Sequence, residues 1–468
     1  MNQKISAQEM INKAREIAMN SPARQNLLRL FDQGTFVETG VYVTRHGYQS
    51  NMNLEESLEG VVTGYGAVNG ALVYAFAHDA SRMHGAIDEN HAKKLESLYH
   101  LALSNGAPIV GIFNCCGASV YEGVSAMAAY GRILSSVTEA SGAIPQIAIV
   151  DGPATGTLSA IVSMFDFVLE TEKSELYVTA PAFNGKNEGE LLSSLNANLE
   201  ACLGYAKLLI EKLPPVCDAS AIYEQNTDDP NRAIVSECFN NGMKYLISSL
   251  LDNGSYLEVN ANQNYCAITA FGSLGGVSCA VVATDASINE GKLSLFDCKK
   301  ISRFVRFCNA FDIPVITLVD SKGVASASDD ADMSLSSELA RLAQAYASAD
   351  IPFSTIYVGN AIGASYILLG SKAVGADITY ALPSAVIGLI PSESAVALVK
   401  NDEVTSSEKR AELEENWNNE IASPLAAAAY GEVDDIISPE ELRARLCSSL
   451  YMMRGEGPSD KVGAIDTL

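Results

Sequence analysis

The chain has 468 residues, which is enough for two domains of about 200–250 residues each. Hydrophobic residues make up 48% of it and charged residues 19%, so large cores can form and disorder over most of the chain is excluded. The formal net charge of -25 repels nucleic-acid phosphates and anionic membrane surfaces, so neither is an expected partner.

The first predicted elements alternate between strand and helix. Residues 70–77 and 108–113 are apolar runs typical of buried strands, and residues 89–104 between them have helical periodicity. A third strand is predicted over residues 144–150, before a glycine-containing turn that opens a helix. Apolar strands that alternate with helices predict an α/β fold in which helices cover a sheet.

The second half of the chain repeats this order. Its predicted elements are a strand, a helix and two further strands, over residues 277–283, 297–311, 314–319 and 351–358. The charged stretch 184–230 separates the two sets. We therefore predict domains over residues 1–230 and 231–468.

A constant offset relates the two halves. Gly117 recurs as Gly323 at an offset of 206 residues, and after one inserted residue Gly156 recurs as Gly363. Neighbouring tetrapeptides and pentapeptides follow the same register over about 85 residues. The offset predicts an internal duplication of one domain.

Cysteine and histidine usage indicates neither disulfides nor a metal site. The ten cysteines are scattered without a CxxC pair, and the five histidines all lie in the first quarter without ligand-like spacing. No run approaches the roughly 20 apolar residues of a membrane span, and the polar start is unlike a signal peptide. We expect a cytoplasmic protein with no metal.

Two loops in each half follow strand ends. Residues 114–119 match residues 320–325, and residues 151–157 match residues 359–365. Small residues at a strand-to-helix junction let a ligand oxygen approach backbone amides, which stabilise developing negative charge. The alternative is a tight turn that only packs a helix against a strand, and for any one loop it is the commoner case.

Several motifs occur in a fixed order, over residues 59–70, 91–94, 121–123, 141–147, 303–308, 310–314 and 363–372. Together they resemble the carboxyltransferase (β) subunits of biotin-dependent acyl-CoA carboxylases, a family that includes the α subunits of biotin-dependent acyl-CoA decarboxylases. The resemblance extends from about Ala23 to residue 437. It implies two tandem crotonase-like (ββα) domains, in agreement with the repeat, and an enzyme that transfers a carboxyl group.

The resemblance implies two oxyanion holes made of backbone amides. The first falls on Cys116 and Gly117 and would hold the enolate of an acyl-CoA thioester. The second falls on Gly363, Ala364 and Ser365 and would polarise the ureido carbonyl of biotin. Decarboxylated biotin can itself take the α-proton, so the protein needs no general base.

The remaining implications concern substrate, cofactor and partners. Gly156, Thr157 and Ile367 are expected to bind substrate, with Ile367 as an apolar wall for the acyl group. The chain has no biotin-attachment motif, and its one Met-Lys pair is Met243-Lys244. Biotin is therefore expected on a partner, a biotin carrier or biotin carboxylase subunit. The family's assembly also implies a homo-oligomer, either a dimer or a hexamer.

Three loops depart from the family's usual sequence. Cys115-Cys116-Gly117-Ala118-Ser119 stands in place of SerGlyGlyAlaArg, His84-Gly85-Ala86 in place of GlyGlySer, and residues 320–327 in place of a ProGly-rich loop. In the first loop one hole residue gains a side chain and an arginine is lost, and a backbone amide survives either change. Two alternatives stay open: the carboxyltransferase subunit of an acyl-CoA decarboxylase, possibly linked to a sodium pump, and a non-catalytic scaffold subunit.

Some side chains admit both a chemical and a structural interpretation. Cys115 and Cys116 lack a histidine or acid at matching spacing, so we favour small residues in a tight loop over nucleophiles. His91 is expected to pack on its helix. Four lysines are expected to be solvated, with contact to CoA phosphates as the alternative: Lys93, Lys94, Lys299 and Lys300.

Overall fold

A computed structural model describes residues 7–45, 57–179, 193–217, 228–235, 237–261, 265–325 and 329–453. The chain divides into unit 1, residues 1–220 with 259–262, and unit 2, residues 221–258 with 263–468. Each unit is built on one eight-stranded sheet. No helix in the described ranges is long and apolar enough to cross a membrane.

The strands of the first sheet are β1 (Val37–Thr39), β2 (Val61–Val68), β3 (Ala71–His78), β4 (Ile109–Cys115), β5 (Gln146–Thr155), β6 (Phe167–Thr171), β7 (Glu175–Tyr177) and β8 (Ser193–Ala197). They lie in the order β1-β2-β3-β4-β5-β6-β8, and β7 pairs with β5. The strands β1, β2 and β3 pair antiparallel, and the pairs from β3 onward are parallel. Parallel neighbours end at the same edge of the sheet, which places their following loops side by side.

The helices of unit 1 are α1 (Ala7–Met19), α2 (Pro22–Leu30), α3 (Glu89–Asn105), α4 (Val124–Ala140), α5 (Thr157–Ser163) and α6 (Leu199–Lys212). The helix α3 begins where the Asp88 carboxylate accepts the His91 amide, and it ends at Gly106 in the left-handed conformation. Buried side chains of α3, α4 and α5 form one core with the sheet. This core fixes the strand ends that carry the loops.

The second sheet consists of β9 (Leu257–Val259), β10 (Ala267–Leu274), β11 (Val277–Thr284), β12 (Val315–Ser321), β13 (Phe353–Ile362), β14 (Ile378–Ala381), β15 (Val386–Gly388) and β16 (Asp435–Ile436). Its order is β16-β14-β13-β12-β11-β10-β9, with β15 paired to β13. Element for element this is the topology of the first sheet. Both the α/β class and the internal duplication are confirmed.

The helices of unit 2 are α7 (Glu237–Asn240), α8 (Met243–Leu250), α9 (Leu295–Ala310), α10 (Asp329–Ala347), α11 (Ala364–Leu368), α12 (Ser392–Val399), α13 (Ser407–Glu420), α14 (Pro424–Ala429) and α15 (Leu442–Met453). A capping box between Ser294 and Asp297 starts α9, the counterpart of α3. One-turn 3-10 helices complete the connections, of which Met83–Gly85 and Asn289–Gly291 matter for the candidate site.

Candidate functional site

Two loops of unit 1 leave one edge of the sheet together. Cys115, the last residue of β4, pairs with Ala154 near the end of β5. Because the two strands are parallel, Cys116 and Gly117 emerge beside Gly156 and Thr157. Cys116 and Thr157 are exposed, and both glycines are partly buried. The structure therefore brings together the four site residues that the sequence predicts for this unit.

A β-bulge sets the direction of the first loop in each unit. The pairing register shifts between Phe113 and Cys115 in unit 1, and at the equivalent position in unit 2. The bulged residue, Asn114, covers Gly152, where an added Cβ would lie 2.3 Å from the Asn114 Oδ1 atom. Bulges of this kind re-aim the chain at the end of a strand. A glycine at this point is therefore required by packing.

The amides of the first loop already have acceptors within the protein. The Cys116 amide donates to the His84 carbonyl at 3.1 Å, and the Gly117 amide donates to the Cys115 sulfur at 3.3 Å. Burial raises the pKa of the Cys115 thiol to about 12, so this thiol stays protonated and is no nucleophile. The structural interpretation of Cys115 is confirmed.

A turn around His84 supports the first loop. His84 has φ 56, a left-handed conformation that side chains rarely adopt, and Gly85 follows with φ 68. The Ile87 amide donates to the Gly117 carbonyl at 2.9 Å, so the turn and the loop pair like two short strands. Gly85 is the one signal of this turn in the sequence, because nothing in His84 itself indicates a positive φ.

The second loop of unit 1 turns at Gly156. This glycine has φ 63 and ψ -133, and its amide donates to the Tyr177 carbonyl of β7 at 3.0 Å. Thr157 then begins α5. The first amides of a helix have no acceptor within the helix, so Thr157 and its successor present donors at the sheet edge.

Unit 2 repeats the glycine turn almost unchanged. Gly363 has φ 57 and ψ -120, and its amide donates to the Gly388 carbonyl of β15 at 2.8 Å. Ala364 begins α11, and Ser365 is buried with its hydroxyl 3.0 Å from the Ser321 carbonyl. Ile367 lies on the same helix and is 49% exposed. All four predicted site residues of this unit thus lie within one short segment.

The loop after β12 has the hydrogen bonds of its counterpart in unit 1 but different side chains. The Lys322 amide donates to the Glu290 carbonyl at 3.1 Å, and the Gly323 amide donates to the Ser321 hydroxyl oxygen at 3.3 Å. Lys322 therefore stands where unit 1 has Cys116, and Glu290 where it has His84. Neither Lys322 nor Glu290 is among the site residues predicted from the sequence. The 206-residue offset, which aligns Lys322 with Cys116, was the available signal.

A buried polar cluster lies beneath the loops of unit 1. His91 and His78 are buried with ring centroids 5.1 Å apart, and His91 Nδ1 is 3.3 Å from the Glu59 carboxylate. The backbone amide of Asn114 donates to His78 Nδ1 at 3.4 Å, and this hydrogen bond connects the cluster to the β-bulge. Burial lowers the pKa of His91 to about 3, so this histidine is neutral at physiological pH. The predicted packing role of His91 is confirmed.

The expectation that all four lysines are solvated is wrong for two of them. Lys94 donates to the Val61 carbonyl at 2.5 Å and Lys300 to the Ala267 carbonyl at 2.7 Å, with both ammonium groups turned onto the sheet. These two lysines are not available to CoA phosphates. Lys93 and Lys299 point to solvent, as expected.

No metal centre is evident in the part of the chain that the structure describes. Over those ranges, no group of three or more histidine, cysteine, aspartate or glutamate side chains is arranged to hold a metal ion.

Similarity to known proteins decides the family. The carboxyl transferase domain family matches residues 20–199 and 208–457. The chain belongs to the carboxyl transferase family. It is 32% identical to the methylmalonyl-CoA decarboxylase subunit alpha of Veillonella parvula, covering 92% of this chain and 89% of the relative. It is 30% identical to the propionyl-CoA carboxylase beta chain of Roseobacter denitrificans, covering 93% and 91%.

A solved structure agrees with this assignment. Transcarboxylase 12S, crystallised as a hexamer with methylmalonyl-CoA and methylmalonic acid bound, is 27% identical with a TM-score of 0.87, covering 99% of both chains. The family resemblance, the two-domain fold and the assignment as a carboxyltransferase enzyme are all confirmed.

Proposed function

We propose that this carboxyltransferase moves a carboxyl group between N-carboxybiotin and an acyl-CoA, with predicted domain 1–230 as the acyl-CoA side and 231–468 as the biotin side. The observation that carries the proposal is the repeated glycine turn. Gly156 and Gly363 share one backbone conformation and one hydrogen-bonding scheme, and each opens a helix at a sheet edge. Preorganised amides at such a point stabilise an oxygen that gains negative charge.

On the acyl-CoA side, the thioester oxygen gains that charge when the α-proton is removed. Cys116 and Gly117 line the same edge, but their amides donate to the His84 carbonyl and the Cys115 sulfur. Thr157 occupies the place that Ala364 has in unit 2. Internal symmetry therefore supports Thr157, the first residue of α5, as the principal oxyanion donor, with Gly156 making the turn that exposes it and with Cys116 and Gly117 forming the adjoining wall.

On the other side, biotin supplies a ureido nitrogen that carries the carboxyl group and afterwards accepts the α-proton. The turn at Gly363 depends on glycine, because its φ is positive and an added Cβ would lie 3.0 Å from the Leu389 carbonyl oxygen. Ala364 and Ser365 contribute the first-turn amides of α11. Ile367 presents apolar surface beside them.

Biotin is delivered by a partner under this proposal. Lys244 of the one Met-Lys pair lies in α8 and forms an ion pair with Glu258 at 2.8 Å, a setting unlike a mobile attachment loop. A biotin carrier protein, or a biotin carboxylase subunit that bears one, meets the requirement. No disulfide joins any of the ten cysteines, all of which lie in the described ranges, and this supports a reducing compartment such as the cytoplasm.

The test is carboxyl transfer from a panel of malonyl-type CoA thioesters to free biotin. Gly363→Val should misplace amides that must lie about 3 Å from the ureido oxygen, and losing one such donor costs about 100- to 1,000-fold in rate. Acyl-CoA affinity should stay at the parent value, because the thioester binds the other turn. Gly156→Val should slow transfer by a similar factor, and Cys116→Gly should be tolerated.

Gly431→Val is the matched control, because Gly431 also has a positive φ, +79, but nothing lies within 4 Å of an added Cβ. Thermal melting shows whether each variant is folded. A folded Gly363→Val protein that transfers carboxyl groups at the parent rate would exclude this turn as the biotin side. A parent chain that binds acyl-CoA and never turns over would instead support the scaffold alternative.

A further inference from the structure

The two copies differ at one position beside the glycine turns. Cys116 and Lys322 have matching backbone hydrogen bonds, each donating to the carbonyl of the residue in the middle of a left-handed turn. The side chains are unrelated: an uncharged thiol in unit 1 and an ammonium group in unit 2. In a chain of net charge -25, a lysine at this point requires an explanation.

Lys322 is held in place by a shared carboxylate. Its ammonium group lies 2.7 Å from Glu290 Oε1, and the ammonium of Lys292 lies 2.6 Å from Glu290 Oε2. The two ammonium groups thus share one carboxylate, whose single negative charge does not fully neutralise either of them. Among the described residues, Asp320 and Glu393 also act electrostatically on Lys322, and Asp320 is already an acceptor for the Asn360 backbone amide at 2.8 Å.

The residues on either side of Lys322 contact the proposed biotin side. The Ser321 carbonyl accepts the Ser365 hydroxyl at 3.0 Å, and Ser321 pairs with Ala361. An added Cβ on Gly323 would lie 3.5 Å from the Ile362 carbonyl oxygen. The loop that carries Lys322 therefore abuts the segment that turns at Gly363.

Glu290 adopts a backbone conformation that itself has to be maintained. It has φ 55 and its neighbour Asn289 has φ 47, both in the left-handed region. Strain of this kind persists where the surroundings enforce it, and it is common at functional sites. Here it brings the Glu290 carbonyl to the Lys322 amide and the Glu290 carboxylate to the Lys322 ammonium.

We propose that the Lys322 ammonium faces bound biotin and stabilises the negative charge that the ureido oxygen gains during transfer, with Glu290 fixing its position. This inference rests on the proposed function of unit 2. The acyl-CoA side has no cation at the equivalent place, because its counterpart is Cys116. Lys322 thus distinguishes the two otherwise matching edges.

Kinetics of three variants test this role. Lys322→Met keeps the length of the side chain but removes its charge, and we expect kcat for transfer to free biotin to fall about tenfold with little change in KM. Lys322→Arg should recover most of the rate. Lys292→Met, the matched control, should stay within about twofold. The loss in Lys322→Met should shrink at high salt, because a half-exposed charge is screened.

Lysine labelling provides a readout that does not depend on turnover. Lys322 and Lys292 have nearly equal side-chain exposure, 34% and 33%, so acetic anhydride should modify both in the free protein. Saturating biotinamide, which has the ureido ring but no carboxylate, should protect Lys322 and leave Lys292 reactive. Mass spectrometry of peptides quantifies the two sites in one sample.

The outcomes separate this inference from the function on which it rests. If Lys322→Met transfers at the parent rate while Gly363→Val is slow, the role of Lys322 is wrong and the biotin side stands. If Gly363→Val also transfers at the parent rate, the assignment of the biotin side fails. Equal labelling of Lys322 with and without biotinamide overturns the inference whatever the rates are.

Discussion

Lys94 and Lys300 occupy equivalent positions on α3 and α9, and each donates to the carbonyl of the first residue of a strand, β2 in unit 1 and β10 in unit 2. Lys94 reaches the Val61 carbonyl and Lys300 reaches the Ala267 carbonyl. Burial lowers the pKa of each to about 8 from the ordinary value of 10.5, although nearby carboxylates oppose the shift. The same buried contact in both copies indicates that it was present before the copies diverged.

The lowered pKa of Lys94 predicts a defined pH dependence of stability. Between pH 8 and 10.5 the unfolded chain keeps a proton that the folded chain has released, so the free energy of unfolding rises with pH. Relative to Lys94→Met, the free energy of unfolding of the parent should rise by up to about 1.4 kcal/mol per pH unit over this window. Below pH 8 the difference between the two proteins should not change. Urea unfolding at several pH values measures the difference.

Lys93→Met is the control for this experiment, because Lys93 is more than half exposed and pairs only with Glu89 on the helix surface. The difference in the free energy of unfolding between Lys93→Met and the parent should not change with pH. The opposite result is that the free energies of unfolding of the parent and Lys94→Met differ by the same amount from pH 8 to 10.5. That result would show that the folded lysine keeps its ordinary pKa.

The sequence predicted the role of some residues and misjudged others for a physical reason. Helical periodicity locates the Cα of Lys94 but not the end of its long side chain. The sequence pattern therefore predicts a solvated Lys94, although the residue lies near the core boundary. The recurrence of Lys93-Lys94 as Lys299-Lys300 was the available signal. The family resemblance assigns the Cys116 amide to an oxyanion hole, but it does not show that a left-handed His84 supplies an acceptor for this amide.

Among the elements, the two left-handed turns 83–85 and 289–291 determine where the first loops lie. Gly291 ends the second turn with φ 68, and an added Cβ would lie 2.1 Å from the Asp320 carbonyl oxygen. Gly85 has the same φ, and its added Cβ would lie 2.7 Å from the Asn114 carbonyl oxygen. Each turn therefore approaches the bulge of its own unit so closely that only glycine fits.

We expect Gly291→Ala to destabilise the protein by at least about 2 kcal/mol, because the alanine combines a disfavoured φ with a clash against backbone. Gly254→Ala is the control, since Gly254 has φ +78 with nothing within 4 Å and should lose only about 1 kcal/mol. Chemical denaturation measures both. Equal losses for the two variants would show that the turn moves away from the bulge at no cost.

Strand prediction succeeded where strands are continuous apolar runs and failed where glycines interrupt them. The strand predicted over 70–77 corresponds to Ala71–His78. Its antiparallel partner Val61–Val68 is not predicted as a strand and falls within the motif over residues 59–70. An added Cβ on Gly64 would lie 2.4 Å from the Val37 carbonyl oxygen, so that glycine serves the close approach of β1. A contact between distant segments of this kind cannot be deduced from local pattern.

For the whole molecule, duplication explains the similarity of the two edges and, under the proposed function, their division of labour. A single domain presents one glycine turn, and carboxyl transfer needs two oxygens held, one on the thioester and one on the ureido group. The turns at Gly156 and Gly363 have kept one geometry, while the neighbouring loops have diverged to Cys116 and Lys322. Divergence of side chains around a common backbone is sufficient to make two chemically distinct sites.

The molecular surface also carries two groups of exposed apolar side chains. The Val120 surface of unit 1 consists of residues that are between 64% and 89% exposed: Val120, Tyr121, Val124 and Met127. The Leu398 surface of unit 2 consists of residues that are between 68% and 86% exposed: Leu389, Leu398, Val399, Leu425 and Tyr430. Clusters of this kind mark contact surfaces between proteins.

We predict that these surfaces are buried between copies of the chain and that Met127→Lys lowers the mass of the assembly. Met127 is 64% exposed within its chain, so the substitution should leave the fold intact within about 0.5 kcal/mol. Burying a lysine between copies would, however, cost several kcal/mol. Leu208→Lys, at a 46% exposed position on α6 outside both surfaces, is the control and should retain the parent mass. Sedimentation velocity distinguishes the species, and an unchanged mass for Met127→Lys would place the contact elsewhere on the chain.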